Sequence, residues 1–257
     1  MKNSAFLTAH RSHDYRRLVE RWRAVARASG VRMHIFARTP DYPIYYLKTK
    51  ALGAKGGIYI SAGIHGDEPA GPEALVAWAE KNVRRLAQIP CLLFPCLNPW
   101  GLVNNRRFEQ DGLDLNRIFH RDDVALIKAM KPIFSPHRFD VALMLHEDYD
   151  GQGIYIYETE RAHPFWGEEL INAARPYIPV EHRTRIDGRK PLKPGIVRRR
   201  ISAKKFATFG FPEAVYFHLH HSDRTFTIET PSEFALDQRV AAQIAVVEEC
   251  AKRLTKH

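Results

Sequence analysis

The stretch Ile58–Pro72 reads IYISAGIHGDEPAGP, and the rest of the chain is organised around it. Its first five residues are mostly apolar, with β-branched and aromatic side chains, which predicts a short buried strand. Gly63 and Gly66 interrupt this pattern, and Pro69 and Pro72 predict a helix that continues to about residue 86. The stretch therefore predicts a strand, a sharp turn and a helix in succession.

Two residues with metal-binding side chains, His65 and Glu68, lie in this turn. A His-x-x-Glu spacing at the end of a strand can bring an imidazole nitrogen and a carboxylate to one point. These are two of the three protein ligands that a catalytic zinc ion needs, with the fourth position left for water. The alternative is a surface turn in which the glutamate is favoured by the helix dipole. A third ligand elsewhere in the chain would favour the metal site.

The remaining pattern alternates between strands and helices. Strands are predicted at 31–38, 42–48, 89–97, 139–145, 153–158, 215–221 and 225–229. Helices are predicted at 12–28 with Ser12 as cap, 122–132, 164–174 and 235–254. We therefore expect an α/β fold with one mixed, mostly parallel twisted sheet and helices on both faces. Residues 1–257 would form a single domain, with an irregular basic insertion around 178–213.

Composition limits the classes of function. The 39 Lys and Arg residues outnumber the 29 Asp and Glu residues, giving a formal net charge of +10, which favours acidic substrates or partners. The three cysteines include no Cys-x-x-Cys pair, which argues against a disulfide framework or a cysteine zinc site. The sequence has neither an apolar signal segment nor a run of about 18 apolar residues. We therefore expect a cytoplasmic protein with no membrane partner, and leave its oligomeric state open.

A third metal ligand is available at the end of another predicted strand. Val141–Leu145 is apolar throughout and is followed by His146, and Glu229 ends the strand predicted at 225–229. Taken singly, these two residues would be interpreted as a core histidine and a buried ion-pair member. In open α/β sheets, however, ligands bind beyond the carboxyl ends of the strands. Together with His65 and Glu68, His146 completes a zinc-binding set of two histidines and one glutamate.

A second set of motifs fixes the comparison with a known family. It comprises Asn98-Pro99-Trp100-Gly101, Arg107 ten residues before Arg117, Gly112-Leu113-Asp114-Leu115-Asn116-Arg117 and Thr227-Ile228-Glu229-Thr230. With the histidines above, in this order, the sequence resembles the zinc metallocarboxypeptidase family of the carboxypeptidase A type. The pattern is closest to that of murein peptide amidase-like members. The resemblance spans residues 58–231, about two-thirds of the chain.

The resemblance implies a role for each matched residue around the metal. His65, Glu68 and His146 would hold one zinc ion. Asp114 would hydrogen-bond the far side of the His65 ring and fix its tautomer.

The resemblance also implies the residues that act on the substrate. Arg107 would stabilise the oxyanion of the tetrahedral intermediate, and Glu229 would be the general base that takes a proton from the attacking water. Asn116 and Arg117 would receive a free carboxylate of the substrate. The family often supplies a tyrosine upstream of the base. The nearest candidate here, Tyr216, has an unsuitable spacing and receives no role.

The leading hypothesis is therefore a zinc-dependent hydrolase that cleaves an amide bond next to a free carboxylate. Its substrate would be a small peptide or an N-acyl amino acid, with murein peptide amidase as the favoured subgroup. The alternative is an N-acyl amino acid deacylase of the succinylglutamate desuccinylase/aspartoacylase branch, which resembles the same His-Gly-x-Glu motif. That branch ranks second because those proteins usually carry a β-rich segment after the glutamate, whereas residues after Glu229 predict one helix.

A third hypothesis is a non-catalytic protein that binds nucleic acid. Arg198–Lys205 is the main basic cluster, and Phe206, Phe209 and Phe211 follow it, as stacking residues would. This hypothesis leaves the zinc-binding residues unexplained, so nucleic acid is the less favoured partner. The predicted strand at 215–221 would also place His218 on the same face as His220, at the edge of the cleft.

Overall fold

The structure is a computed structural model that describes residues 11–254, without the side chains of residues 205, 207 and 209. The strands are β1 (Met33–Arg38), β2 (Pro43–Lys48), β3 (Ile58–Ala62), β4 (Cys91–Phe94), β5 (Val141–Asp148), β6 (Tyr155–Thr159), β7 (Ile196–Arg199) and β8 (Thr225–Pro231). The α-helices are α1 (Tyr15–Ser29), α2 (Ala70–Lys81), α3 (Pro99–Asn104), α4 (Ala125–Phe134), α5 (Gly167–Ala174), α6 (Ala203–Phe209), α7 (Glu213–His220) and α8 (Leu236–Leu254). Two short 3₁₀ turns cover Leu86–Gln88 and Leu115–Arg117.

The described strands form one mixed sheet in the order β1-β2-β4-β3-β5-β8-β6-β7. The central strands β4, β3, β5 and β8 are parallel to one another, and β6 and β7 are parallel as a pair. The pairs β1–β2, β2–β4 and β6–β8 are antiparallel. The mostly parallel sheet predicted from the sequence is therefore confirmed.

Both faces of the sheet are covered, because successive strand residues point to opposite sides. Ile58 and Ile60 lie in the larger apolar core with side chains of α1, α2, α5 and α8. Tyr59 and Met144 belong to the smaller core, together with Phe217 of α7 and residues of α4. The smaller core lies on the face that carries the cleft described below. The predicted helices on both faces are thus present.

The histidine-rich segment differs from its prediction. The predicted strand at 215–221 is wrong, because Glu213–His220 forms helix α7. Pro212 immediately precedes it, and Glu213 lies in its first turn, where a carboxylate suits the positive end of the helix dipole. Helical spacing separates His218 from His220 and leaves only His220 exposed. The expected histidine pair on one strand face therefore does not exist.

The predicted irregular insertion at 178–213 is also partly wrong. Strand β7 lies inside it and pairs in parallel with β6 at one edge of the sheet, and helix α6 follows. Ile196 and Val197 are buried in this strand, but four residues are too few to show a period in the sequence. At the start of the chain, Asp14 rather than Ser12 caps α1, because its Oδ1 accepts a hydrogen bond from Arg17 N at 3.0 Å.

Two predictions about composition can be compared with the structure. Cys91, Cys96 and Cys250 are buried free thiols, as the absence of cysteine motifs indicates. Within residues 11–254, none of the helices combines the length and apolar character needed to cross a bilayer.

Candidate active site

Four of the predicted site residues converge because three neighbouring strands run in parallel. The carboxyl ends of β3, β5 and β8 meet at one edge of the sheet. His65 and Glu68 follow β3 in the turn before α2, and His146 lies near the end of β5. Glu229 of β8 is the direct register partner of His146. Residues separated by more than 160 positions are thereby brought to a common centre.

The three predicted metal ligands form a compact buried group. His65 Nδ1 lies 2.6 Å from Glu68 Oε1, and His146 Nδ1 lies 2.8 Å from Glu68 Oε2. One ligand atom from each residue falls within 4.8 Å of the others, and each residue is at most 5 % exposed. Two imidazole nitrogens and a carboxylate form a donor set used by catalytic zinc sites. The chemistry of these three side chains therefore fits a zinc ion.

The buried group is electrostatically coupled. Burial would lower the pKa of His65, but the Glu68 and Asp114 carboxylates raise it to about 9. Burial would raise the pKa of Glu68, but the two imidazoles hold it far below its usual range. The pKa of Asp114 falls to about 2, because His65 and Arg107 outweigh the effect of its burial. The carboxylates are thus ionised at neutral pH, and metal binding would release the proton that they hold on His65.

A buried ion pair beneath the metal group holds the start of α2. Glu147 Oε1 accepts a hydrogen bond from Ala70 N at 2.6 Å, and its Oε2 accepts one from Arg239 of α8. Glu147 N in turn donates to Glu68 Oε2 at 3.1 Å. The residue after His146 therefore fixes both the helix that follows Glu68 and the Glu68 carboxylate itself.

The Asn-Pro-x-Gly motif supports the turn that carries His65. Asn98 caps α3 by accepting a hydrogen bond from Gly101 N at 2.8 Å, and its Nδ2 donates to Arg107 O at 3.4 Å. A Cβ atom on Gly66 would lie only 2.0 Å from the carbonyl carbon of Gly101. Gly66 is needed for this close approach of two backbones, and a Cβ atom on Gly101 would lie 2.3 Å from Asn98 Nδ2 and 2.6 Å from Arg106 O. The motif thus has a structural role, because it holds the backbone of the turn that carries His65.

Asp114 and Arg107 lie directly behind the metal group. Asp114 Oδ1 is 3.2 Å from His65 Nε2, which is the position predicted for it. Arg107 donates from Nε and Nη2 to Asp114 Oδ2, each at 3.3 Å, and its Nη1 is 3.5 Å from Glu68 Oε1. The guanidinium is therefore held beside the metal ligands, where it can donate to an oxygen of a bound substrate.

Asn116 and Arg117 face the same cleft and are held by a network that the sequence did not indicate. Asn116 Oδ1 accepts a hydrogen bond from Glu213 N at 2.9 Å. The buried Glu213 side chain accepts hydrogen bonds from Tyr59 Oη at 2.5 Å and Ser61 Oγ at 3.0 Å. Asn116 can therefore offer a substrate its Nδ2 donors, while the exposed Arg117 side chain is available to an anion.

A cleft of about 350 Å³ connects the predicted catalytic and substrate-binding residues. It is lined by His65, Glu68, Arg107, Asn116, Arg117, His146, Tyr155, Tyr157, Thr159, Asp187, Arg199, Thr225, Thr227 and Glu229, among others. Burial raises the pKa of Glu229 to about 8, with His146 opposing and Glu68 adding to the shift. A carboxyl group with a pKa near neutrality is suited to accept a proton and return it.

Two tyrosines in this cleft were missed by sequence reasoning. Tyr155 lies opposite Glu229 in the β6–β8 register and donates from Oη to Asp148 Oδ2 at 3.0 Å. Tyr157 lies two residues along the same strand and face. The only signal was the Tyr-x-Tyr alternation of a predicted strand. Tyr216, the tyrosine considered from the sequence, packs instead against aromatic rings such as Phe119, with centroids 5.6 Å apart.

The basic cluster considered for nucleic acid is partly paired within the fold. Arg198 donates to Glu158 Oε2 at 2.8 Å, and Arg199 donates to Asp187 Oδ2 at 3.2 Å. The Arg198 guanidinium also lies 3.4 Å from the ring centroid of Phe165. Nucleic-acid binding stays a prediction, with Arg200 and Lys204 as the remaining described members of the cluster.

Comparisons with known proteins agree with this fold. Residues 55–166, less than half of the chain, match the family model of the succinylglutamate desuccinylase/aspartoacylase catalytic domain. No curated protein matches the sequence significantly. A structure of a proposed metallopeptidase from Shewanella amazonensis is 21 % identical, covers 95 % of this chain and 94 % of its own, and gives a TM-score of 0.83.

Two carboxypeptidase structures are more distant. Carboxypeptidase A of Helicoverpa armigera is 14 % identical over 90 % of this chain and 70 % of its own, with a TM-score of 0.61. A metallo-carboxypeptidase of Pseudomonas aeruginosa was solved in complex with (2-guanidinoethylmercapto)succinic acid. It is 18 % identical over 92 % of this chain and 68 % of its own, with a TM-score of 0.57. The chain therefore has the metallocarboxypeptidase fold, and the resemblance stated from the sequence is confirmed at this level.

Proposed function

We propose that this chain is a zinc-dependent hydrolase that cleaves an amide bond next to a free carboxylate. The observation that carries the proposal is the buried group of His65, Glu68 and His146, with Glu229 paired beside His146 in the same cleft. The fold and the family-model match support the same class of reaction. Small peptides and N-acyl amino acids are the substrate candidates.

Each cleft residue has a part in this reaction. His65, Glu68 and His146 would hold a zinc ion, which would supply a Lewis acid for the scissile carbonyl and for the attacking water. Glu229 takes a proton from the attacking water and returns it to the leaving nitrogen as the C–N bond breaks. Arg107, oriented by Asp114, donates hydrogen bonds to the carbonyl oxygen as negative charge develops on it.

The free carboxylate of the substrate would be recognised by Arg117 and Asn116, which line the same cleft. Arg117 offers a planar guanidinium that can bind a carboxylate through two hydrogen bonds. Asn116 adds Nδ2 donors, because Glu213 N already occupies its oxygen. This arrangement favours amides in which the leaving amine belongs to an amino acid.

A second candidate, N-acyl amino acid deacylation, is favoured by one specific observation. The family model that matches residues 55–166 is that of the succinylglutamate desuccinylase/aspartoacylase catalytic domain. The structural neighbours named as peptidases favour peptide substrates instead. Murein peptide amidase activity remains our specific proposal within the peptidase group.

A paired-substrate assay tests the proposed function. The zinc-loaded chain is incubated with murein tripeptide, simple dipeptides and N-acyl amino acids, each as the free acid and as the carboxamide. We expect hydrolysis of free acids in at least one group and weak or no hydrolysis of their amides. Equal rates on free acids and amides would contradict recognition of the carboxylate, and no hydrolysis of any compound would contradict the reaction class.

Arg117→Ala should raise KM for free-acid substrates about tenfold to a hundredfold, because a charge-assisted bidentate pair is lost. The rate on the matching amides should hardly change, since an amide cannot form that pair. Arg121→Ala is the control, because Arg121 is exposed and pairs with Asp123 outside the catalytic group. Steady-state kinetics on both substrate forms check this, and an equal loss on acid and amide would remove Arg117 from carboxylate binding.

A further inference from the structure

The peptide unit between His146 and Glu147 is held at both of its polar ends. Its N–H belongs to Glu147 and donates to Oε2 of the metal ligand Glu68 at 3.1 Å. Its carbonyl belongs to His146 and accepts a hydrogen bond from Gln243 Nε2 of α8 at 3.0 Å. Because a peptide unit is planar and nearly rigid, a group that holds the carbonyl also sets the direction of the N–H. The contact with α8 therefore acts on Glu68 as well as on His146.

Thr230 of β8 fixes the orientation of the Gln243 amide. Gln243 Nε2 donates its other hydrogen to Thr230 Oγ1 at 2.9 Å, and this hydroxyl lies 3.5 Å from His146 O. Thr230 follows Glu229, and successive strand residues point to opposite faces, so its side chain points away from the cleft. The carbonyl of His146 can only accept a hydrogen bond, so the nitrogen of the amide must face it. Both N–H groups of the Gln243 amide are thus used at this contact.

Stability alone does not explain a glutamine at position 243. Gln243 is 0 % exposed, and Val246 and Val247 of the same helix belong to the larger apolar core. Its Oε1 atom is buried and has no hydrogen-bond partner among the described residues. A buried acceptor without a partner lowers the stability of the fold, and an apolar side chain of the same size would avoid this loss. The gain from Gln243 therefore lies in what its two donors hold.

Helix α8 contacts two consecutive residues of β5 with two polar side chains. Gln243 follows Arg239 by four residues, so both lie on the same face of the helix, one turn apart. Arg239 bonds to the side chain of Glu147, and Gln243 bonds to the carbonyl of His146. The helix thus grips β5 at the point where this strand delivers a metal ligand.

We propose that Gln243 is a positioning residue of the metal centre. With Thr230 as its second acceptor, it fixes the peptide unit that begins at His146 and whose N–H binds Glu68. Two of the three metal ligands therefore depend on one side chain of a helix that does not line the cleft. The inference rests on the proposed function, because that function assigns the zinc ion to these ligands.

The zinc affinity of matched variants tests this role. Gln243→Met keeps the length of the side chain but removes both donors. We expect its zinc dissociation constant, measured by competition with a chelator, to rise about tenfold to a hundredfold, which is typical when a group that orients a metal ligand is lost. Gln238→Met is the matched control, because Gln238 is an exposed glutamine of the same helix, and this variant should bind zinc as the wild type does.

The visible absorption of cobalt(II)-loaded protein separates positioning from a general effect on folding. Cobalt(II) can replace zinc at such a site, and its absorption bands report how the ligands are arranged around the ion. We expect Gln243→Met to shift or weaken these bands and Gln238→Met to give the wild-type spectrum. A Gln243→Met chain with the wild-type zinc affinity and the wild-type cobalt spectrum would overturn the role of Gln243.

Variants of Thr230 decide the question even if Gln243→Met folds poorly. Thr230→Val keeps the shape of the side chain but removes the acceptor for the Gln243 amide, so its zinc dissociation constant should rise several-fold. Thr230→Ser keeps the hydroxyl and should retain the wild-type zinc affinity. An equal loss of zinc affinity in the two variants would show an effect of packing alone and would overturn the proposal.

Assays of amide hydrolysis on the same samples separate this inference from the proposed function. If Gln243→Met weakens zinc binding and alters the cobalt spectrum but the wild type hydrolyses no amide, the hydrolase proposal fails and the positioning role stands. If the wild type hydrolyses amides but Gln243→Met matches it in zinc affinity and spectrum, the positioning role fails and the hydrolase proposal stands. A wild-type chain that binds neither metal would overturn both.

Discussion

Glu229→Gln should lower kcat by about 10² to 10⁴-fold while the chain retains its zinc, because general-base catalysis is typically worth that much. The substituted amide has nearly the shape of the carboxylate but cannot accept a proton from water. Glu229 does not itself contribute to the buried group of metal ligands, so metal affinity should be preserved. The effect should fall on kcat more than on KM, because the lost interaction belongs to the transition state.

The matched control for this variant is Glu233→Gln, an exposed glutamate four residues further along the chain. It changes the net charge in the same way and should leave kcat unchanged. Rates are measured by single-turnover kinetics on a free-acid substrate, with zinc content determined on the same samples. A Glu229→Gln chain that keeps most of its activity would remove Glu229 as the base, and one that has lost its zinc would make the rate uninformative about base catalysis.

Arg239→Met should lower the free energy of unfolding by about 3–5 kcal/mol, because it leaves Glu147 as a buried carboxylate without its counter-ion. The Glu147 side chain is fully buried, and Arg239 is its only cationic partner in the described structure. Arg121→Met removes an exposed ion pair and should change stability little. Urea unfolding of zinc-free protein isolates the effect from metal binding.

The loss of stability caused by Arg239→Met should increase as the pH rises. Burial raises the pKa of Glu147 to about 7, even though Arg239 lowers it. Between the ordinary pKa of a glutamate and pH 7 the folded chain therefore binds more protons than the unfolded chain, so the contribution of Glu147 to stability falls as pH rises. Arg239→Met should cost more at pH 8 than at pH 6, where Glu147 can be protonated.

The double variant Glu147→Gln/Arg239→Met should recover part of this stability, because no charge remains buried. In this double variant the loss of stability should also be the same at pH 6 and at pH 8, because Glu147 is no longer present to titrate. Equal losses for Arg239→Met at the two pH values would show that Glu147 does not carry the effect.

The sequence was sufficient to predict the parts of the site that follow long apolar strands. His65, His146 and Glu229 each come at the end of such a strand, and parallel strands must deliver their ends to one edge of the sheet. The mixed sheet and its helical layers followed from the same alternation. These features depend on patterns of five or more residues, which are visible without any structure.

Short or locally ambiguous segments could not be predicted. Strand β7 has only four residues, so its period was invisible and Arg199 was assigned to an irregular basic insertion. Helix α7 contains apolar and histidine residues that fit either period, and its preference for a helix depends on Pro212 and on packing against the sheet. Glu213 was missed because its hydrogen-bond partners, Tyr59 and Ser61, are distant in sequence and are brought to it only by the fold.

Zinc content tests the central claim most directly. After loading with zinc and exhaustive dialysis, we expect elemental analysis to find one zinc ion per wild-type chain and almost none in His65→Ala or His146→Ala. His220→Ala should keep its zinc, because His220 is exposed and lies outside the metal group. A wild-type chain that binds no zinc, or His65→Ala and His146→Ala chains that still hold one ion each, would contradict a catalytic metal at this site.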